Sequence, residues 1–242
     1  MAYPGQNATS APCFQMSLIE EFALFVGGRR LYVPHMSERV LTYLALANRP
    51  VARGRLAGTL WPYCPEQSAS KTLRTALWRL RRVDEALVEA SGDRLRLDPN
   101  VSVDLVTLTE LAQNLIHTPD PSHLAQVPLL LDHRELLPDW DEEWVAADRE
   151  RYRLVRMAAL ECAAEALLER RQTASALMAA SAVVEEEPLR ESARRIMMRI
   201  HLAQGNNVQA VREYRRYRDL LRAEFDVAPS AGIEDLLHRA HE

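Results

Sequence analysis

The sequence predicts a mainly α-helical protein with small antiparallel β elements, arranged as two consecutive domains. Helices are expected because glycine is scarce, with 8 residues among 242, while alanine and leucine recur at helical spacing. β elements are expected where apolar and polar residues alternate around glycine turns. Two domains are expected because residues 1–99 carry a net charge of +4, whereas residues 100–242 carry a net charge of −8.

The N-terminal segment predicts a flexible tail over residues 1–16. It has no basic stretch followed by an apolar core, so we do not expect a secretion signal. The three cysteines, Cys13, Cys64 and Cys162, are far apart, which suits a reduced cytoplasm better than a disulfide framework or a zinc site. No apolar run approaches the roughly 18 residues of a membrane span. We therefore expect a cytoplasmic protein without a membrane partner.

The first ordered elements are predicted to be a β-hairpin and a helix. Residues 18–33 alternate apolar and polar side chains on either side of Gly27-Gly28, a sequence typical of a tight hairpin turn. Ser37 is expected to cap a helix that ends near Ala47. A second short helix is expected from about Ala52 to Leu60.

The segment Ala69–Val83 predicts an amphipathic helix with two unlike faces. Its apolar stripe has i, i+3, i+4, i+7 spacing and consists of Leu73, Ala76, Leu77 and Leu80. The opposite face holds Lys71, Thr75, Trp78 and Arg82, with Arg74 and Arg79 on its flanks. No acidic residue lies between Lys71 and Arg82, whereas an ordinary solvated face mixes both signs. The pattern favours a helix that enters the major groove of DNA; a basic surface helix in a bundle is the alternative.

Two neighbouring segments supply further candidate phosphate contacts. Arg53 and Arg55 lie near the start of the second short helix, where a helix N-terminus favours anions; solvated arginines are an equal alternative. Residues 87–98 predict a second hairpin with its turn at residues 91–93, in which Arg94 and Arg96 point outward together. A hairpin placed directly after a recognition helix is a wing, and its paired arginines suit phosphate or minor-groove contact.

This order of elements resembles a known family. Residues 18–98, with VARGRLAGTLW at 51–61 and SKTLRTALWRLRR at 70–82, look like the OmpR-type winged helix-turn-helix of the Streptomyces antibiotic regulatory protein (SARP) family. The resemblance implies a DNA-binding domain at 17–99. The DNA contacts it implies come from Lys71, Arg74, Thr75, Trp78 and Arg82. This chain departs from the family at Lys71 (usually Asn), at Ala52 (usually a hydroxyl cap) and at Arg94-Leu95 (usually Gly-Tyr), so individual base contacts do not transfer.

The second half predicts an all-α helical repeat. A helix is expected from Asp104, and Asp139 and Glu142 have capping-box spacing before a long helix to about Arg171. Ala176 and Ala210 fall at matching positions of two segments offset by 34 residues, the tetratricopeptide (TPR) period. A coiled coil is the competing interpretation, but Pro188 and a Gly-Asn break argue against it.

The second half resembles the same family. Residues 104–240, with LLPDWDEEWVAADRERYRLVRMAALE, EEEPLRESARRIMMRIHLAQGN and AVREYRRYRDLLRAEFDVAPS, look like its bacterial transcriptional activator domain, expected here at 100–242. No GxxxxGK[ST] motif is present, so we expect no ATPase activity. His123 and His133 have no metal-ligand spacing, and the carboxylates of Asp141 and Glu143 fit helix-dipole compensation better than acid–base chemistry. We expect no catalytic residues, no cofactor and no metal.

The resemblance implies a sequence-specific transcriptional activator. It implies binding to direct repeats near promoters by two protomers side by side. It also implies contact with RNA polymerase holoenzyme including its sigma factor, control of secondary-metabolite (antibiotic) genes, and a nucleoid-associated location. The alternatives are a winged-helix repressor and a helical-repeat adaptor with weak DNA binding. A ligand sensor is a further alternative, because helical repeats form concave surfaces, although no residue cluster in the sequence indicates a particular ligand.

Overall fold

The computed structural model describes residues 14–132 and 134–239. The chain forms two compact units: unit 1 contains the chain up to Val106 together with Glu135–Arg149, and unit 2 contains Thr107–Arg134 and the chain from Glu150 onward. Residues 1–13 of the expected tail, including Cys13, lie outside the described residues, as does His133. The expectation of a tail through residue 16 was wrong, because residues 14–16 belong to the first strand.

Unit 1 contains all of the β-structure of the described chain and three complete helices. In chain order its elements are β1 (Phe14–Ser17), β2 (Ala23–Val26), β3 (Arg29–Leu31), α1 (His35–Ala47), β4 (Val51–Ala52), α2 (Arg53–Leu60), α3 (Glu66–Val83), a 3₁₀ turn (Glu85–Leu87), β5 (Val88–Ser91), β6 (Arg94–Leu97) and β7 (Ser102–Val103). The strands form two sheets, ordered β3-β2-β1-β7 and β4-β6-β5. Among the strands of the described residues, only the β1–β7 pairing is parallel.

The predicted first hairpin is confirmed at its turn. Gly27 and Gly28 both have positive φ, 54° and 79°, as a two-residue turn between β2 and β3 requires. The hairpin begins at Ala23 rather than at residue 18, because the chain bends at residues 20 and 21, where Glu20 has a positive φ of 68°.

The predicted helix cap at Ser37 was wrong. Helix α1 begins two residues earlier, after Pro34, which offers no side-chain cap. Ser37 is fully buried, and its hydroxyl donates to the Ala76 carbonyl of α3 at 3.4 Å. The hydroxyl therefore joins two helices rather than ending one.

The three helices of unit 1 pack around a small leucine core. Helices α1 and α2 both contact α3. The inward side chains of α2 are Leu56 and Leu60, which are fully buried against the apolar stripe of α3. Ala52 precedes α2 without a side-chain cap, so the departure from the family's hydroxyl leaves that helix end capped by backbone alone.

A later stretch of chain, Glu135–Arg149, completes unit 1; we call it the return segment. Leu136 pairs with Ile19 as an antiparallel bridge, and the Leu137 N–H donates to the Leu18 carbonyl at 3.0 Å. The capping box expected at Asp139 and Glu142 was wrong. Glu142 instead accepts hydrogen bonds from Arg39 at 2.9 Å and from the Trp144 indole at 2.8 Å.

Unit 2 is entirely helical in the described chain. The helices are α4 (Asp104–His117), α5 (Pro121–Leu124), α6 (Val127–Asp132), α7 (Glu143–Glu169), α8 (Thr173–Glu186), α9 (Glu191–Ala203), α10 (Asn207–Phe225) and α11 (Ala231–Arg239). The first residues of α4 and α7 belong to unit 1.

The helical repeat predicted from sequence is present in unit 2. Helices α8 and α10 begin 34 residues apart, at Thr173 and Asn207. Ala176 and Ala210, the matching small residues, are both fully buried. Helix α9 packs against both α8 and α10. Small side chains at these positions let the paired helices approach closely, as the repeat requires.

Arginine–glutamate pairs connect the helices of unit 2. Arg156, which is fully buried, donates to the Leu130 carbonyl and to Glu186, both at 2.6 Å. Arg194 of α9 and Glu213 of α10 form a pair in which both side chains are buried. Further pairs join Arg190 to Glu161 and Arg199 to Glu165.

Candidate nucleic-acid interface

Helix α3 separates its apolar and basic residues onto opposite sides, as predicted. The side chains of Leu73, Ala76, Leu77 and Leu80 are buried. Lys71, Arg74, Thr75 and Arg82 are exposed, and Arg79 on the flank is half-buried. In the described chain none of these basic side chains has a carboxylate partner. Their charges are therefore available to an external anion such as a phosphate.

Two contacts shape the exposed face of α3. The Thr75 hydroxyl donates to the Lys71 carbonyl at 3.1 Å, so Thr75 presents its methyl group and its oxygen lone pairs outward. The Arg82 guanidinium lies 5.0 Å from the centre of the Trp78 ring, a cation–π contact. Trp78 is 57% exposed, which is unusual for so large an apolar side chain. The pair places a flat aromatic surface and a charge side by side at the C-terminal half of the helix.

The predicted wing is a tight hairpin of β5 and β6, and its arginines point outward. Leu95 between them is buried. Arg94 donates to the Pro50 carbonyl at 3.3 Å and has no carboxylate partner in the described residues. Arg96 instead pairs with Glu89 directly across the hairpin, which raises the pKa of its guanidinium through the hydrogen bond. The two wing arginines are therefore not equivalent, a difference that the alternating pattern did not predict.

The short strand β4 ties the wing to the start of α2. Val51 pairs with Leu95, and the Arg53 N–H donates to the Asp93 carbonyl at 2.9 Å. Arg53 is half-buried beside the wing, whereas Arg55 is exposed. The structure thus brings the start of α2 to the wing, and α2 and α3 pack together.

One residue of this surface was missed by the sequence analysis. Arg81 is exposed near the end of α3 and lines an open groove of about 920 Å³ between that helix and the wing, together with Arg94 and Arg96. Helical spacing of 100° per residue puts Arg81 within 20° of Arg74, so the signal was present. Glu85, Glu89 and Asp98 also line the groove. Because the groove carries charges of both signs, it is its basic edge, formed by α3 and Arg94, that suits contact with a DNA phosphate backbone.

Two other kinds of site were sought in the described residues, a metal site and a membrane-spanning helix. In residues 14–132 and 134–239 no group of three His, Cys, Asp or Glu side chains is placed to hold a metal ion. The helices seen in those ranges are all too short or too polar to cross a bilayer.

Most of the second half of the chain matches a known protein family. Residues 128–240 match the family described as the bacterial transcriptional activator domain. The regulatory protein AfsR of Streptomyces coelicolor is 28% identical over 217 residues, covering 85% of this chain and 22% of AfsR. The transcriptional regulatory protein MoaR1 of Mycobacterium tuberculosis is 24% identical, covering 96% of this chain and 81% of MoaR1. This chain therefore spans less than a quarter of the length of AfsR.

A solved structure shares the fold. EmbR of Mycobacterium tuberculosis, determined in complex with a low-affinity phosphopeptide, superposes with a TM-score of 0.76 at 18% identity. The match covers 96% of this chain and 65% of the EmbR chain. The predicted architecture, a winged helix followed by a helical repeat domain, is confirmed by this likeness.

Proposed function

We propose that the chain is a transcriptional regulator of the SARP family, since residues 128–240 match the bacterial transcriptional activator domain and the chain is similar to AfsR. In this proposal it is a DNA-binding activator that reads direct repeats near promoters and recruits RNA polymerase holoenzyme. In this proposal the winged-helix domain, residues 17–99, binds DNA. The activator domain, residues 100–242, contacts the polymerase, including its sigma factor. The target genes are those of secondary-metabolite (antibiotic) biosynthesis, and the protein acts at the nucleoid.

One observation carries the DNA-binding part of the proposal: the exposed basic face of α3. Lys71, Arg74 and Arg82 project from a helix whose other face is anchored in the leucine core. An anchored helix with unpaired cations is suited to the major groove, where its charges meet phosphates and its central side chains meet base edges. Trp78 adds an apolar surface for a thymine methyl group, and Arg79 supports the flank.

In this proposal the wing and the start of α2 contact the phosphate backbone of the DNA. Arg94 and Arg81 face the groove beside α3, and Arg53 and Arg55 stand at the α2 N-terminus. Cations at such positions fix the register of a protein on the duplex without reading sequence. Arg96 contributes less because Glu89 already holds it.

The decisive experiment is selection of fragmented genomic DNA on the purified full chain, followed by sequencing and a salt titration on the best fragment. We expect enrichment of direct repeats upstream of promoters, with half-sites close to a whole helical turn, about 10 base pairs, apart. Affinity is expected to fall steeply with salt because each neutralised phosphate releases a counterion.

Transcription from the selected fragment with purified holoenzyme then separates the remaining functions. Increased transcript supports the activator, whereas reduced transcript with the same DNA affinity identifies a repressor. Recovery of no enriched sequence, or only salt-insensitive binding, contradicts the DNA-binding proposal and leaves a helical-repeat adaptor.

A further inference from the structure

Unit 2 contains a mainly apolar groove that the proposed function does not use. It has a volume of about 440 Å³ and lies where α5 and α6 meet the end of α7 and the start of α8. Its apolar lining includes Pro121, Leu124, Val127, Leu131 and Leu167. Leu124, Val127 and Leu167 are buried and form its floor. The volume falls within the range of small-molecule sites, about 300–1,000 Å³.

Met178 of α8 forms an open wall of this groove. Its side chain is 61% exposed, whereas Val183 of the same helix is fully buried. Methionine is flexible and polarizable, so it adapts to apolar ligands of varied shape. An apolar group that covers this floor and the exposed methionine removes apolar surface from water, which favours its binding.

A single fixed cation stands at one end of the groove. The Arg170 guanidinium donates to the Ala166 carbonyl and to the Pro119 carbonyl, both at 3.0 Å. These two carbonyls hold the guanidinium in place but leave its charge unneutralised, and several of its N–H donors remain available. Gln172 and Ser175 add polar groups at the groove's lining.

Four arginines that join helices of unit 2 differ from Arg170 in one respect. Arg156, Arg190, Arg194 and Arg199 each meet a glutamate carboxylate. Arg170 has no carboxylate partner in the ranges that the structure describes. A positioned guanidinium beside apolar walls is complementary to a ligand with one carboxylate and an apolar body.

We propose that this groove binds a small apolar carboxylic acid, with the carboxylate on Arg170 and the hydrocarbon body on Leu124, Val127 and Met178. An apolar alcohol or amine lacks the charge that the arginine is placed to meet. The proposal concerns unit 2 alone and stands whether or not the chain binds DNA.

The test uses the full chain with decanoate and, as a matched probe, decanol. Calorimetric titration gives the affinities, and ¹³C-methyl spectra of methionine, with the Met178 signal assigned through Met178→Leu, report the location. We expect saturable decanoate binding that shifts the Met178 signal, with decanol binding more weakly.

Variants of the cation complete the test. Arg170→Gln is expected to weaken decanoate about fivefold, the effect of losing a solvent-exposed charge pair, and to leave decanol unchanged. Arg170→Lys keeps the charge and is expected to retain most of the affinity. Arg222→Gln, an exposed arginine of α10 away from the groove, is the matched control and is expected to bind as the parent does.

Three results overturn the proposal. Decanoate that binds without moving the Met178 signal lies elsewhere. Equal affinity for decanoate and decanol shows that the arginine does not read the carboxylate. A loss of affinity in Arg222→Gln as large as that in Arg170→Gln shows that only the overall charge matters.

Discussion

The exposed face of α3 and the helix contacts of unit 2 use arginine in opposite ways. Arginine makes up nearly all of the basic residues, since the chain has only one lysine, Lys71, among 30. Arg74, Arg81 and Arg82 of α3 and Arg94 of the wing are exposed and, among the described residues, have no carboxylate partner. In unit 2, Arg156 is fully buried and Arg194 is buried, and each is matched to a glutamate.

The comparison shows that the partner, rather than the residue type, decides what an arginine does. A buried guanidinium is tolerated only when a carboxylate and carbonyls compensate for the water it has lost. An exposed one without a partner stabilises the fold little but is free to bind an anion. The comparison between these two regions is therefore one between unpaired and paired cations.

The largest effect is expected from breaking a buried pair in unit 2. Glu213→Ala leaves Arg194 buried without its carboxylate and is expected to destabilise the protein by about 3 kcal/mol. Urea unfolding followed by circular dichroism measures the change. Glu224→Ala, at an exposed position of the same helix, is the control and is expected to stay within about 0.5 kcal/mol of the parent. Equal stability of the two variants would mean that the pair does not hold α9 and α10 together.

The unpaired cations of α3 are expected to show the reverse behaviour. Lys71→Ala and Arg82→Ala each remove an exposed charge, so the midpoint of unfolding is expected to stay nearly unchanged. Affinity for the selected DNA fragment is expected to fall by about 1–3 kcal/mol where a base is contacted. A phosphate contact is expected to lower the slope of affinity against salt by about one. If affinity and salt slope both match the parent in the two variants, the assignment of this face to DNA is wrong.

The wing provides an intermediate case, because it holds one unpaired and one paired arginine. Arg94→Ala is expected to weaken DNA binding several-fold, and Arg96→Ala by less, since Glu89 already neutralises Arg96. Glu89→Gln releases Arg96 and is expected to strengthen binding by a small factor. Fluorescence anisotropy on one labelled fragment compares the three variants. A larger loss from Arg96→Ala than from Arg94→Ala would contradict this ranking.

The smallest effect is expected in the titration of Tyr217, whose ring lies against the paired Arg194. Burial, and next the charge of Glu191, raise the pKa of Tyr217 from its ordinary value of 10 to about 12. Because the folded pKa is the higher one, this contribution to stability is complete below pH 10 and is lost as the pH rises towards 12. Absorbance at about 295 nm measures phenolate formation, and Tyr217→Phe is expected to remove a late-titrating component. A titration curve unchanged by that substitution would contradict the shift.

Local periodicity was enough to predict the elements that carry the candidate interface. Helix α3 and the wing were predicted because their apolar residues recur at spacings of 3.6 and 2, which the core imposes directly. The 34-residue repeat was visible because Ala176 and Ala210 occupy equivalent packed positions. These features depend on residues that lie near one another in sequence.

The features that were missed depend on residues far apart in sequence. Strand β4 has two residues, Val51 and Ala52, too few to show a pattern. The bridge between Ile19 and Leu136 joins residues more than a hundred positions apart, and nothing local to Glu142 indicates Arg39 as its partner. Ser37 was misread for the same reason, because a hydroxyl before an apolar run looks like a cap until α3 is seen to accept it.

The return segment has a consequence for the order in which the protein is made. Unit 1 requires Glu135–Arg149, yet Thr107–Arg134, which belongs to unit 2, is synthesised first. During translation, Leu136 and Leu137, which pair with Ile19 and Leu18, are added more than a hundred residues after them. A nascent chain stopped near residue 106 therefore exposes apolar surface that Leu136 and Leu137 cover in the finished protein. The winged-helix unit can complete its core only after Arg149 has been synthesised. Its folding therefore ends only after part of unit 2, Thr107–Arg134, has already been made.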